Sequence, residues 1–146
     1  MNNVKLLRVR LVTVTTLPFS EKAPIMTGPD VVAHVARTVL PTDREGFLVI
    51  HLDSRNAIRS MELVSIGSLN SCIVHPREVF KAAILANAAS IILAHNHPSG
   101  DPTPSPEDLA ITRRLRRAGQ LLGIDVRDHV VVTAEAYVSF MERNLR

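Results

Sequence analysis

The 146 residues predict a single α/β domain of the α+β kind, a mixed β-sheet flanked by helices on both faces. Three observations carry that expectation. Short apolar runs of β-branched character intermingle with segments of helical spacing. One pair of strand-like runs is joined by a turn and reads as a hairpin, so part of the sheet is antiparallel. The composition, 46% hydrophobic and 21% charged, is that of an ordinary globular chain. At this length about two-thirds of the unfolded surface is buried on folding.

Residues 4–14 alternate loosely and are rich in Val and Leu, which predicts an opening strand. Residues 17–26, with two prolines, read as a loop, so 1–27 forms an N-terminal strand-and-loop extension and 28–146 the domain proper. Thr27-Gly28-Pro29-Asp30 introduces a helix over 31–40 with Val32, Val35 and Val39 on one face, closed by Pro41. Gly46 to Leu52 is a strongly β-prone run, Asp53-Ser54-Arg55-Asn56 a turn, and 57–66 the returning arm of the hairpin. His75-Pro76-Arg77-Glu78 starts a helix to about Ala88, with Val79, Ala82, Ala83 and Leu85 inward. Residues 89–94 form a buried strand, and 105–122 a helix stopped by Gly123. Residues 124–132 read as a strand broken at Arg127-Asp128-His129, and 136–141 as a last one.

No apolar run approaches the roughly 20 residues that span a bilayer, and Arg8 and Arg10 interrupt any secretory leader. A single cysteine, Cys72, excludes an internal disulfide framework and fits a reducing cytoplasm; it reads as a small buried residue. The net charge of +3 allows contact with DNA, the densest basic cluster being Arg113-Arg114-Leu115-Arg116-Arg117. A solvated helix face is the plainer account of those arginines. Four phenylalanines and one tyrosine make no stacking platform for single strands.

The segment His95-Asn96-His97-Pro98, followed by Asp108, carries the chemistry. Side chains alternate along a strand, so His95 and His97 project from one face at the end of the 89–94 run. The loop Pro98-Ser99-Gly100-Asp101-Pro102-Thr103-Pro104 fits neither strand nor helix. Two imidazoles and a carboxylate are three ligands for Zn²⁺ with a fourth position for water, the arrangement of a catalytic site. Asp108 also reads as the acid of a capping box opened by Ser105 and Pro106, although such boxes prefer Glu. A metal-activated water needs a proton carrier. Glu45 and Glu62 on the hairpin are the candidates; Glu107, about 100° around the helix from Asp108, is the least suited. Spacing leaves Glu45 and Glu62 both open.

His95-x-His97-Pro98 with Ser105-x-x-Asp108 resembles the JAMM motif of JAB/MPN-domain metalloproteases. A longer string is similar to the bacterial RadC family. It runs from His75-Pro76-Arg77-Glu78-Val79-Phe80 through Ala94 to Pro102, then to Leu122-Gly123-Ile124 and Asp128-His129. The resemblance covers roughly 28–132 and implies a JAB/MPN-like, cytidine-deaminase-like layered fold. It implies that His95, His97 and Asp108 bind Zn²⁺, that Ser105 donates to the developing oxyanion, and that Glu45 is the general acid/base. It implies hydrolysis of an amide or isopeptide bond in a protein or peptide substrate.

Two features depart from the pattern. RadC proteins commonly carry an N-terminal helix-hairpin-helix module associated with DNA, whereas residues 1–27 read as a strand and loop; the C-terminal stretch Val132 to Tyr137 lacks a glycine-containing turn. The first departure counts against a DNA-repair role and the second leaves the metal site untouched; a second class, resting on the basic face, is a DNA-associated accessory protein that keeps the JAMM-like site and touches phosphate, alone or as an oligomer. A zinc nucleobase deaminase would need a Pro-Cys-x-x-Cys, which one cysteine excludes.

Overall fold

The computed structural model describes residues 1–18, 26–67 and 74–145. Among the described residues eight elements run in the order α1 (Pro29–Val39), β1 (Gly46–Leu52), β2 (Ile58–Ile66), α2 (Pro76–Leu85), β3 (Ser90–Asn96), α3 (Pro106–Leu122), β4 (Asp125–Val132) and β5 (Tyr137–Ser139). They build the expected mixed sheet, ordered β2-β1-β3-β4-β5. Among the described strands only the β3–β4 pair is parallel, and α3 supplies the crossover that a parallel pair requires.

Period-two alternation sorts the core into two layers. Leu48, Ile50, Ile92, Ala94, Val130 and Val132 face α1, where Val32, Val35 and Ala36 meet them. Phe47, Val49, Ile91 and Leu93 face the other way, against Val79 and Phe80 of α2 and Leu115 of α3. Helices therefore cover both faces, as the sequence predicts. Packing begins at Met26, which is buried and whose N–H donates to Asn56 O at 2.8 Å. Gly119 stands mid-helix because α3 turns back closely on its successor; a Cβ there would lie 2.4 Å from Ile124 O.

Four expectations are corrected. Residues 4–14 form no strand: residues 1–18 carry no regular structure, and Val4, Leu6 and Val14 are exposed. Alternation makes a strand only where an edge offers hydrogen bonds, and this segment pairs with none. Strand β3 runs on to Asn96, because β1 and β4 flank it to its end and His97 N–H continues the ladder to Val132 O at 2.9 Å. Helix α2 stops at Leu85, three residues short of Ala88, where Asn87 takes a left-handed backbone (φ 52°). Strand β4 is unbroken: a register shift opposite Ile91/Ile92 absorbs Arg127, while Asp128 and His129 remain in the ladder. Cys72 lies outside the described residues.

A candidate metal centre at the end of the third strand

The end of β3 and the start of α3 bring the three sequence-predicted ligands together. His95 is the penultimate residue of β3 and His97 follows it, so the alternation puts both rings on the α3 side. Their Nε2 atoms lie 3.0 Å apart. Asp108 comes from the first turn of α3, with Oδ1 3.2 Å from His95 Nε2 and Oδ2 3.3 Å from His97 Nε2. Bonds of about 2.0–2.1 Å to a tetrahedral ion separate ligand atoms by roughly 3.3 Å, so the spacing fits a metal. The His95 side chain is 6% exposed and those of His97 and Asp108 13% and 17%, which leaves the cluster open to solvent on one side.

Both readings of Asp108 hold at once. Ser105 Oγ accepts from Asp108 N–H at 3.1 Å, and Asp108 Oδ2 accepts from Ser105 N–H at 2.8 Å, a complete capping box. The carboxylate thus starts the helix and faces the imidazoles with the same group. A Glu would close the box more commonly; the shorter Asp keeps the carboxylate at the ring nitrogens.

The chemistry of the donor set calls for a cation. His97 Nδ1 lies 2.9 Å from Asp101 O, a carbonyl that only accepts, so Nδ1 carries the proton and Nε2 of the neutral ring is bare. The Asp108 carboxylate raises the His97 pKa; burial opposes it, while Asp101 O and the charge of Glu45 reinforce it. Two ring nitrogens and a carboxylate converge on one point. His95, His97 and Asp108 could therefore hold a metal ion.

Asn96, between the two histidines, points to the opposite side. Its Oδ1 accepts from Gly46 N–H at 2.8 Å, and its Nδ2 donates to Pro41 O at 2.7 Å and Arg44 O at 2.9 Å. One buried amide so ties the loop before β1 to the end of β3. Glu45 sits in that loop, half-buried, with its charge felt at His97. Glu62 pairs with Val49, one strand further out. Burial raises its pKa, Lys81 opposes that and Glu78 adds to it, all away from the triad. Glu107 is exposed. Of the basic cluster, Arg113, Arg114 and Arg117 are exposed on α3, and Arg116 donates to Leu145 O at 3.2 Å.

Sequence reasoning missed two residues. His129, fully buried on β4, meets His95 Nδ1 through its Nε2 at 2.7 Å, and its Nδ1 lies 2.6 Å from Thr112 Oγ1. Thr112, one turn beyond Asp108, donates from the same oxygen to Asp108 O at 2.7 Å. Burial pushes the His129 pKa well below its ordinary value. Aromatic rings hold the pair: Phe47 stacks on His95 at 6.0 Å and Phe140 on His129 at 4.7 Å. Asp128 keeps Phe140 there, accepting from Ser139 Oγ–H at 2.6 Å and Met141 N–H at 3.0 Å. A histidine in phase with the apolar residues of β4 was the available signal.

The profile of the RadC-like JAB domain family matches residues 26–145. A UPF0758 protein of Desulfitobacterium hafniense is 50% identical over 123 residues, covering 84% of this chain and 54% of that protein. One of Methanosarcina acetivorans is 48% identical over 121 residues (83% and 53%), and one of Pelobacter propionicus 57% over 102 (70% and 44%). The chain spans about half the length of these relatives.

Proposed function

We propose, on the premise that this chain belongs to the RadC-like JAB domain family, that it is a zinc-dependent hydrolase of the JAMM type acting on an amide or isopeptide bond. The observation that carries the reading is the convergence of two imidazole nitrogens and one carboxylate at spacings of 3.0–3.3 Å. A zinc ion held by His95, His97 and Asp108 would supply a water of lowered pKa and a Lewis acid for the carbonyl.

The remaining roles fall to the chain's own groups. Glu45 takes a proton from the attacking water and returns it to the leaving nitrogen. Support for Glu45 over Glu62 comes from its charge reaching His97 and from the anchoring of its loop by Asn96. Ser105 donates to the developing oxyanion. Its Oγ already accepts from Asp108 N–H, so its own proton is the one left to give.

The test compares zinc content and hydrolysis of peptide and isopeptide substrates in the parent, Glu45→Gln and Glu62→Gln. Glu45→Gln is expected to keep stoichiometric zinc and lose about 10²–10⁴ in rate, the usual contribution of a general acid/base. Glu62→Gln keeps both. Loss of activity in Glu62→Gln alone would transfer the role, and parent protein purified without chelator and free of zinc would end the metallohydrolase reading.

A further inference from the structure

We infer that His129 and Thr112 are positioning residues that fix the tautomer of His95 and so aim its Nε2 electron pair at the metal centre. The inference rests on the metal-centre reading above and adds to it a relay that no part of the JAMM-like motif contains. It follows from where the protons lie along three contacts.

Asp108 O is a carbonyl and only accepts, so the single Thr112 hydroxyl proton lies on the 2.7 Å line between Thr112 Oγ1 and Asp108 O. Placed elsewhere, that proton would leave two oxygens in contact with nothing between them. Thr112 Oγ1 then accepts at 2.6 Å from His129, whose Nδ1 carries its proton. His129 has no exposed surface, and among the described residues no carboxylate touches its ring nitrogens, so the ring is neutral and its Nε2 bare. That nitrogen accepts the Nδ1–H of His95 at 2.7 Å, which leaves His95 Nε2 bare.

His97 reaches the same tautomer directly, through Asp101 O. Each ligand histidine is therefore oriented by a backbone carbonyl, one at first hand and one through two side chains. The carbonyl at the end of the longer relay belongs to Asp108, the third ligand, so His95, His129, Thr112 and Asp108 close a ring. Ligating histidines usually donate to a carboxylate, a carbonyl or water. A neutral imidazole in that place holds the orientation without adding negative charge behind the ligand.

The test has one readout in metal-free protein and one with zinc, using the full chain. Long-range proton–nitrogen NMR of the imidazoles is expected to show His95 as the Nδ1–H tautomer in the metal-free parent. In His129→Phe, which fills the volume and keeps the stack on Phe140 without an acceptor, His95 loses that fixed tautomer. Zinc affinity then falls by about 10–100-fold, the usual effect of losing an orienting partner. His129→Gln, whose Oε1 can accept from His95, restores most of it. Thr112→Val breaks the relay one step back and lowers affinity less, which also decides the matter should His129→Phe fail to fold. His95 found as the Nε2–H tautomer in the parent would overturn the inference, as would folded His129→Phe binding zinc as tightly as the parent. A parent that binds no zinc would end the metal reading, while the tautomer measurement would still decide whether the relay exists.

Discussion

Asp108→Asn separates the two duties of Asp108. In the native chain one carboxylate oxygen caps α3 and both face ring nitrogens. Asparagine is nearly isosteric: its Oδ1 can accept from Ser105 N–H while its Nδ2 donates to His95 Nε2. Helix capping should survive, leaving metal-free stability within about 0.5 kcal/mol of the parent or above it, since three converging acceptors become two acceptors and a donor. Asp108→Ala loses the capping box instead, about 1 kcal/mol, or roughly 2–4 °C in Tm at this chain length. Zinc at a hundred times its Kd stabilises a binding fold by about 2.7 kcal/mol, which is roughly 5–11 °C on the same scale. The assay is thermal unfolding with chelator and with zinc, beside metal analysis of the same samples. The parent should gain several degrees with zinc; neither variant should gain any, and only Asp108→Ala should melt early without it. A zinc-induced rise in Asp108→Asn equal to the parent's would refute the assignment of this triad.

Two further outcomes follow from contacts outside the triad. Asn96→Leu removes three hydrogen bonds and frees the 41–45 loop. It should cost about 3 kcal/mol in denaturant unfolding and lower hydrolysis while zinc content stays stoichiometric; full activity in a destabilised protein would show that the loop does not position Glu45. His51 is buried, and burial lowers its pKa from 6.5 to about 4. Between those values the unfolded chain holds a proton the folded chain refuses, so stability falls as pH drops through that window and levels off below it, by at most about 3 kcal/mol. His51→Leu adds a pH-independent cost at Ser60, its partner at 2.7 Å, and removes that slope; parallel stability–pH curves for parent and variant would exclude the assignment.

What was legible in the sequence was local. The candidate ligands His95, His97 and Asp108 lie within one strand–loop–helix unit, and strand alternation with N-cap chemistry reports on such a unit directly. The helices and the β1–β2 hairpin announce themselves by period and turn residues in the same way. Residues 4–14 show the limit of that reading. Their alternation is genuine, but a strand exists by its partner, and no window of sequence states whether an edge is free to receive it. The expected break in β4 fails for a related reason. Arg127-Asp128-His129 looks too polar for a central strand, yet Arg127 is exposed at the bulge and the two buried polar side chains find partners on β3, α3 and the segment from β5 onward. Asp128 takes the Ser139 hydroxyl and two N–H groups, and His129 takes His95 and Thr112.

The same residues explain why the supporting shell of the site could not be read with its ligands. His129 stands across the parallel β3–β4 ladder from Leu93, one alternation before the level of His95. That register is set by the crossover through α3 and by the bulge at Arg127, neither of which has a sequence period. Once the register exists, the polar stretch is what a buried ligand requires. A metal-binding imidazole inside a β-sheet needs an acceptor behind it, and the neighbouring strand is the nearest place to put one. A polar stretch within an apolar strand is then the trace of a candidate site one strand away, and the strand continues through it because its buried polar side chains, Asp128 and His129, are paired.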